Sequence, residues 1–167
     1  GDPAAKLELV EYSDFSDRLQ DFALGAERQL DKDYFKTGKV KFTYRYYPVV
    51  DQGKIGESHW AAYAAECANT QGKFWQYHDK LFGEWRGENV GTYTKPNLKK
   101  SAADIGLDTT RFNQCIDNGE TVTLVDNEAA QASAQGIQGT PTFLINGRAL
   151  QVRTLDVSEF TRTFDAL

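Results

Sequence analysis

Methionine is absent from this 167-residue chain, and cysteine and histidine each occur only twice. The shortages exclude several classes of chemistry. His59 and His78 alone cannot build a three-histidine metal site, and their spacing puts them on no common helical turn, so they read as structural side chains and no metal is expected. Cys67 and Cys115 match no metal-ligand spacing, and no Cys-x-x-Cys pair exists anywhere in the chain. A phosphate-cradling glycine loop is missing, as is a Gly-x-Ser-x-Gly elbow, which sets aside a hydrolase built from Ser16, His78 and Asp14. No cofactor is implied. Positive charge is also short. Nineteen Lys and Arg face 24 Asp and Glu, a net charge of -5. The Lys99-Lys100 pair is too small to make a basic face, so nucleic acid is not an expected partner.

No apolar run approaches the roughly 20 residues that span a bilayer. The chain begins at Gly1. That start fits a removed leader, anchor or further domain, and equally a cloning boundary, so a membrane association is expected only through such a segment.

What is present is 40% hydrophobic and 13% aromatic residues, enough for a full core. Lys6 to Tyr12 alternates as a first strand and a polar turn follows it. Leu19, Phe22, Ala23, Ala26, Leu30 and Tyr34 then recur at three- and four-residue steps and draw one helical stripe. Val40, Phe42, Tyr44 and Tyr46 share a face of a second strand over Lys39 to Tyr47, which Pro48 ends. From Gly56 to Gln135 the pattern is helical. Trp60, Tyr63, Ala64 and Cys67 form one stripe and Phe74, Trp75, His78 and Phe82 another. Arg86 to Pro96 reads as a loop, and helices are expected near Asn97 to Ile105, Thr109 to Asn118 and Val122 to Gln135. Strands Thr142 to Ile145 and Ala149 to Val152 flank an Asn146-Gly147 turn, and Val157 to Leu167 closes the chain as an amphipathic helix. The aromatics Trp60, Phe74, Trp75 and Trp85 could line a groove, but at helical spacing they read as core.

Four segments carry a family likeness. They are Val10-Glu11-Tyr12-Ser13-Asp14-Phe15, Ala64-Ala65-Glu66-Cys67-Ala68, Gln71-Gly72-Lys73-Phe74-Trp75-Gln76-Tyr77-His78-Asp79, and the loop Gly139-Thr140-Pro141-Thr142-Phe143. Together they resemble the DsbA-like branch of the thioredoxin superfamily, whose members exchange disulfides outside the cytoplasm. The resemblance implies an α/β thioredoxin fold with a mixed central sheet, a core of residues 1–55 and 136–167, a helical insertion of residues 56–135, and an extracytoplasmic location.

In that family a cysteine at a helix N-terminus is the exchanging thiolate and a second cysteine resolves the mixed disulfide. Here Asp17 and Gln20 hold those positions, and neither a carboxylate nor an amide exchanges thiols. A capping box, Asp17 bonding helix N–H groups and Gln20 reaching back, is the structural expectation. The resemblance also implies a cis bond before Pro141 and a surface of Ser16, Asp17, Thr140 and Pro141 that pairs with extended or unfolded polypeptide. A proline that only shapes the loop is the rival reading.

From spacing alone Cys67 and Cys115 are either paired or two buried free thiols. Similar extracytoplasmic proteins carry cysteines in this context, which implies a structural disulfide tying insertion helices together. A relocated redox pair using the same two cysteines is the alternative. The chain is thus expected to be a binding domain without dithiol catalysis, with an oxidoreductase based on Cys67 and Cys115 second and a purely structural chain third.

Overall fold

Leu7, Leu9, Glu11 and Ser13 alternate along the first strand and set its inward face, because side chains of a strand point to opposite faces at a period of two. The computed structural model describes residues 1–167 and builds its sheet on that strand, β1 (Leu7–Ser13). β2 (Val40–Tyr46) runs parallel to it with Leu9 beside Phe42 and Glu11 beside Tyr44. β3 (Thr142–Ile145) lies antiparallel on the other side, with Leu9 beside Ile145 and Glu11 beside Phe143. β4 (Arg148–Leu150) pairs with β3 across a turn in which Asn146 and Gly147 have φ of 48° and 80°. The sheet order is β2-β1-β3-β4. Asn146 also ties the hairpin to β1, its side chain accepting from the Glu8 amide at 2.8 Å.

Helix α1 covers residues 20–35, and its turns Phe22–Ala26 and Asp31–Phe35 are wide, with π geometry. Each wide turn advances the register, so Phe35 rather than Tyr34 enters the core. Five helices then separate β2 from β3: α2 (Glu57–Asn69), α3 (Phe74–Glu84), α4 (Lys95–Asp104), α5 (Thr109–Asp117) and α6 (Val122–Ala134). The cap signals are ordinary ones. Thr94 and Asp108 accept from the amides of Asn97 and Arg111 at the starts of α4 and α5. α2 is buried nearly all round, since Ala61, Ala62, Ala64, Ala65 and Ala68 let its neighbours approach closely. α7 (Val157–Ala166) ends the chain. No helix is long and apolar enough to cross a membrane.

Two apolar clusters carry most of the packing. The larger joins the insertion helices to Phe15, Leu19, Tyr44 and Tyr46. The second packs α1 and α7 on the sheet through Phe22, Phe143 and Phe160, whose rings lie 5.0 to 5.5 Å apart. A smaller cluster around Tyr12, Ala132 and Ile137 holds α6 against the opposite face. The disulfide between Cys67 and Cys115 crosses from α2 to α5 and closes a sequence separation of 48 residues.

Candidate functional site

β1 delivers its end to the loop 14–19, and three anchors fix that loop before α1 begins. Asp14 is buried and accepts from the Ser16 amide, the Val50 amide and the Ser58 hydroxyl, each at 2.9 Å. Those bonds lower its carboxyl, but burial outweighs them and holds it up at about 6. Phe15 plugs into the core against Tyr44 and Phe82. Trp85 donates its indole N–H to the Ser16 carbonyl at 2.8 Å.

The fourth contact joins two segments 123 residues apart in the chain. The Thr140 hydroxyl donates to Asp17 Oδ2 at 2.9 Å, while Asp17 Oδ1 accepts from the Arg18 amide at 2.8 Å. The peptide bond that follows, Thr140–Pro141, is cis. The Thr142 hydroxyl donates to the Gly139 carbonyl at 2.7 Å and closes the loop on itself. Asp17, Gln20, Thr140 and Pro141 are half-buried, so all four keep a face to solvent. Beside them a cleft of about 280 Å³ runs between Pro141, Phe143, Leu150 and Leu155.

Two expectations from the sequence need correction here. The capping box does not form. Asp17 spends its carboxylate on Arg18 and Thr140, and Gln20 Oε1 is enclosed without a partner, because the helix begins only at residue 20. Ser16 does not line the surface either. It is 1% exposed with its hydroxyl enclosed, and what it contributes is backbone, an amide to Asp14 and a carbonyl to Trp85.

Behind the loop lies a group that the sequence analysis passed over. Glu11 is 1% exposed on the apolar face of β1, and burial pushes its carboxyl up to about 8. Glu27 on α1 is also buried, and burial together with the nearby Glu11 raises it well above the carboxylate range. His78 on α3 has Nε2 3.5 Å from Glu27 Oε1 and Nδ1 2.9 Å from Asp79 Oδ1; its burial lowers it below its ordinary value. One oxygen of each glutamate has no hydrogen-bond partner, nor do the Ser13 and Tyr44 hydroxyls. The signal was available, since Glu11 follows Leu7 and Leu9 at the strand period. His59, the other histidine, lies in the first turn of α2 with Nδ1 2.8 Å from Asp51 Oδ2, and the Asp51 carboxylate accepts the amides of Gly56, Ser58 and His59 at the start of that helix.

The match to known proteins follows the same outline. Residues 1–166 match the Thioredoxin family. The chain belongs to that family. Its structure superposes on BdbD from Bacillus subtilis with a TM-score of 0.87 at 23% identity, covering 99% of this chain and 89% of the other. On alpha-DsbA1 from Wolbachia pipientis the TM-score is 0.83 at 22% identity, with 100% and 88% covered. A thioredoxin-like oxidoreductase from Silicibacter pomeroyi is 25% identical with a TM-score of 0.78, over 99% and 88%. The chain is thus a thioredoxin-superfamily protein whose fold, with the mixed sheet described above, is DsbA-like. It is also 32% identical over 151 residues to the Na(+)/H(+) antiporter NhaA of Herminiimonas arsenicoxydans, covering 90% of this chain and 22% of the antiporter. The chain spans about a fifth of the length of the curated relatives it matches.

Proposed function

We propose that this domain binds extended polypeptide at the surface of Asp17, Thr140 and Pro141 and does not exchange disulfides there. The observation that carries the reading is the Thr140–Asp17 hydrogen bond of 2.9 Å beside the cis proline. It keeps the two halves of the site joined where a reactive thiol would otherwise sit, and leaves their outer faces open next to the cleft. A backbone segment laid along the proline loop pairs by strand addition, a mode that needs no chemistry from the protein. A carboxylate and an amide supply no thiolate, so mixed-disulfide formation has no nucleophile at this position.

Cys67 and Cys115 support a structural role instead. Their residues are 1% and 5% exposed, and exchange requires a sulfur that an attacking thiolate can reach. The family's usual setting makes an extracytoplasmic place the natural one for such a disulfide. The curated relatives carry the antiporter name on a chain about four times as long, so a domain held beside a membrane transporter is the arrangement we infer.

Titration of a reduced, alkylated unfolded protein, followed by calorimetry, tests the binding; a Pro141→Ala variant should bind at least tenfold more weakly. No measurable heat, or equal affinity in the variant, rejects the binding. Insulin reduction or thiol oxidation by this chain rejects the non-catalytic part. The Cys67–Cys115 reduction potential then separates the two roles. A value below roughly -300 mV fits a structural bond, and one near roughly -120 to -200 mV a redox pair.

A further inference from the structure

β2 has a neighbour on one side only. The sheet order places it at the edge, and consecutive residues of a strand turn their backbone N–H and C=O groups to opposite sides. The Tyr47 amide donates inward to the Ser13 carbonyl at 2.9 Å, whereas the Tyr46 amide donates outward to Glu128 Oε2 at 2.8 Å. The same alternation sends the groups of Thr43 and Arg45 toward β1 and those of Phe42 and Tyr44 toward the free side. A furrow of about 350 Å³ follows this side and is lined by every residue from 42 to 46. Trp75 of α3 walls it on one flank and Leu124 of α6 on the other, each 42% exposed. Past Phe42 and Trp75 it continues into a second cavity of about 490 Å³ that reaches Phe35 and Lys36.

We propose that the free edge of β2 accepts an extended segment of another polypeptide as a fifth strand, with basic and apolar residues alternating. The site is independent of the proline loop, none of whose residues lines the furrow. The unmet groups of Phe42 and Tyr44 call for a backbone rather than a side chain or small molecule. The Trp75 ring, stacked on Phe42 at 5.4 Å and 25°, offers an apolar wall to every second residue of the incoming strand. Along the furrow and the cavity it joins, Arg45 pairs with Glu128 at 3.0 Å, Lys36 with Asp31 at 2.9 Å and Arg28 with Asp79 at 3.5 Å, whereas Glu66 has no cation partner; with the chain's net charge of -5 this favours a basic segment over an acidic one.

A second copy of this chain fits less well. The antiparallel register that bonds Phe42 of one copy to Tyr44 of the other sets Lys41 opposite Arg45, a like-charge pair. Glu128 also occupies the Tyr46 amide, which stops the pairing from extending further.

Amide exchange by NMR on the full chain tests this with the probe peptide Lys-Val-Thr-Val-Lys-Val-Thr-Val. At saturation the Phe42 and Tyr44 amides should slow at least tenfold, while Thr43, Arg45 and Tyr46, already bonded, stay unchanged. Two versions of the peptide, N-methylated on alternate residues in the two possible phases, should differ: one binds and the other does not. Trp75→Ala should weaken binding about tenfold and Trp75→Phe much less, the rescue separating a lost wall from a lost fold. Unchanged Phe42 and Tyr44 amides at saturation overturn the proposal, as do amides already as slow as Thr43 in the free chain. Protection that grows with protein concentration without peptide assigns the edge to a second copy. Equal binding by both methylated peptides shows that no strand pairing occurs.

Discussion

Replacing Glu11 by Gln should flatten the pH dependence of stability, and the size of the change can be worked out. The carboxyl lies between Tyr44 and Phe143 on the sheet's apolar face and titrates at about 8 when folded against an ordinary 4.5. Its folded value is raised, so between 4.5 and 8 the native state holds a proton that the unfolded chain has lost, and stability falls as pH rises. Other groups complicate the acid side. Asp14, held at about 6, adds to the fall below that pH, while buried His78, lowered below 6.5, opposes it. Above 6.5 Asp14 is mostly ionised and what remains of the His78 effect opposes the fall, which leaves Glu11 and the similarly raised Glu27 as its source. One proton corresponds to about 1.4 kcal/mol per pH unit, and the folded carboxyl is half ionised by pH 8, so from pH 6.5 to 8 Glu11 alone lowers the unfolding free energy by about 1.6 kcal/mol. Urea unfolding at pH 6.5, 7.25 and 8.0, read by tryptophan fluorescence, measures the slope in both proteins. Glu11→Gln should lose most of one proton's worth of slope, and more if Glu27 relaxes once its neighbour is uncharged. The slope is the observable because the absolute offset also contains the packing of the amide. A flat or rising wild-type stability in this window, or equal slopes in the two proteins, refutes the reasoning.

Three further predictions rest on single features. The Cys67→Ala/Cys115→Ala double variant opens a 48-residue separation and should lose about 4 kcal/mol by the chain-entropy relation, measured as a lowered urea midpoint. Phe160→Ala removes a fully buried ring that packs on Phe22 and Phe143; about 3–5 kcal/mol should be lost, and α7 amides should exchange faster in the native state. Thr140→Val takes the only side-chain donor from Asp17 Oδ2 at nearly constant volume and should cost about 1 kcal/mol in a thermal melt while weakening unfolded-client binding.

Much of the architecture is readable from period and punctuation. β2 alternates Val40, Phe42, Tyr44 and Tyr46 without a break, and the same four residues are buried. Asn146-Gly147 marks its turn because few other pairs take positive φ at both positions. Reading fails where the controlling contact is distant or the helix is irregular. Nothing near Asp17 announces Thr140, so a local cap was the natural expectation and a tertiary bond the outcome. The wide turns of α1 shift the stripe from Tyr34 to Phe35, and no local residue pattern signals them. α2 carries alanine on every side, so its stripe gave no hint of being enclosed all round. Trp75 read as core from its spacing, yet it sits one position round from inward-facing Phe74 and covers Phe42 at the sheet edge. The cysteine spacing left pairing open because only the meeting of α2 and α5 decides it.

Under the proposed function, the fastening of loop 14–19 bears on how a site without a thiol would bind. A flexible loop must be ordered when a partner arrives, and that ordering subtracts from affinity. Here the ordering is complete beforehand: Asp14 holds three donors, Trp85 holds the Ser16 carbonyl, Phe15 is locked in the core and Thr140 bridges to Asp17. None of these contacts uses the outer faces of Thr140 and Pro141. A thiol-exchanging site would gain from some freedom at its nucleophile, which must move between two sulfur partners, whereas a binding surface gains only from being held still. Tying Asp17 to the proline loop is therefore consistent with a site kept for recognition. By the same logic, loosening an anchor behind the surface, such as Asp14, Phe15 or Trp85, should lower affinity through the entropy of ordering without altering a direct contact to the bound chain.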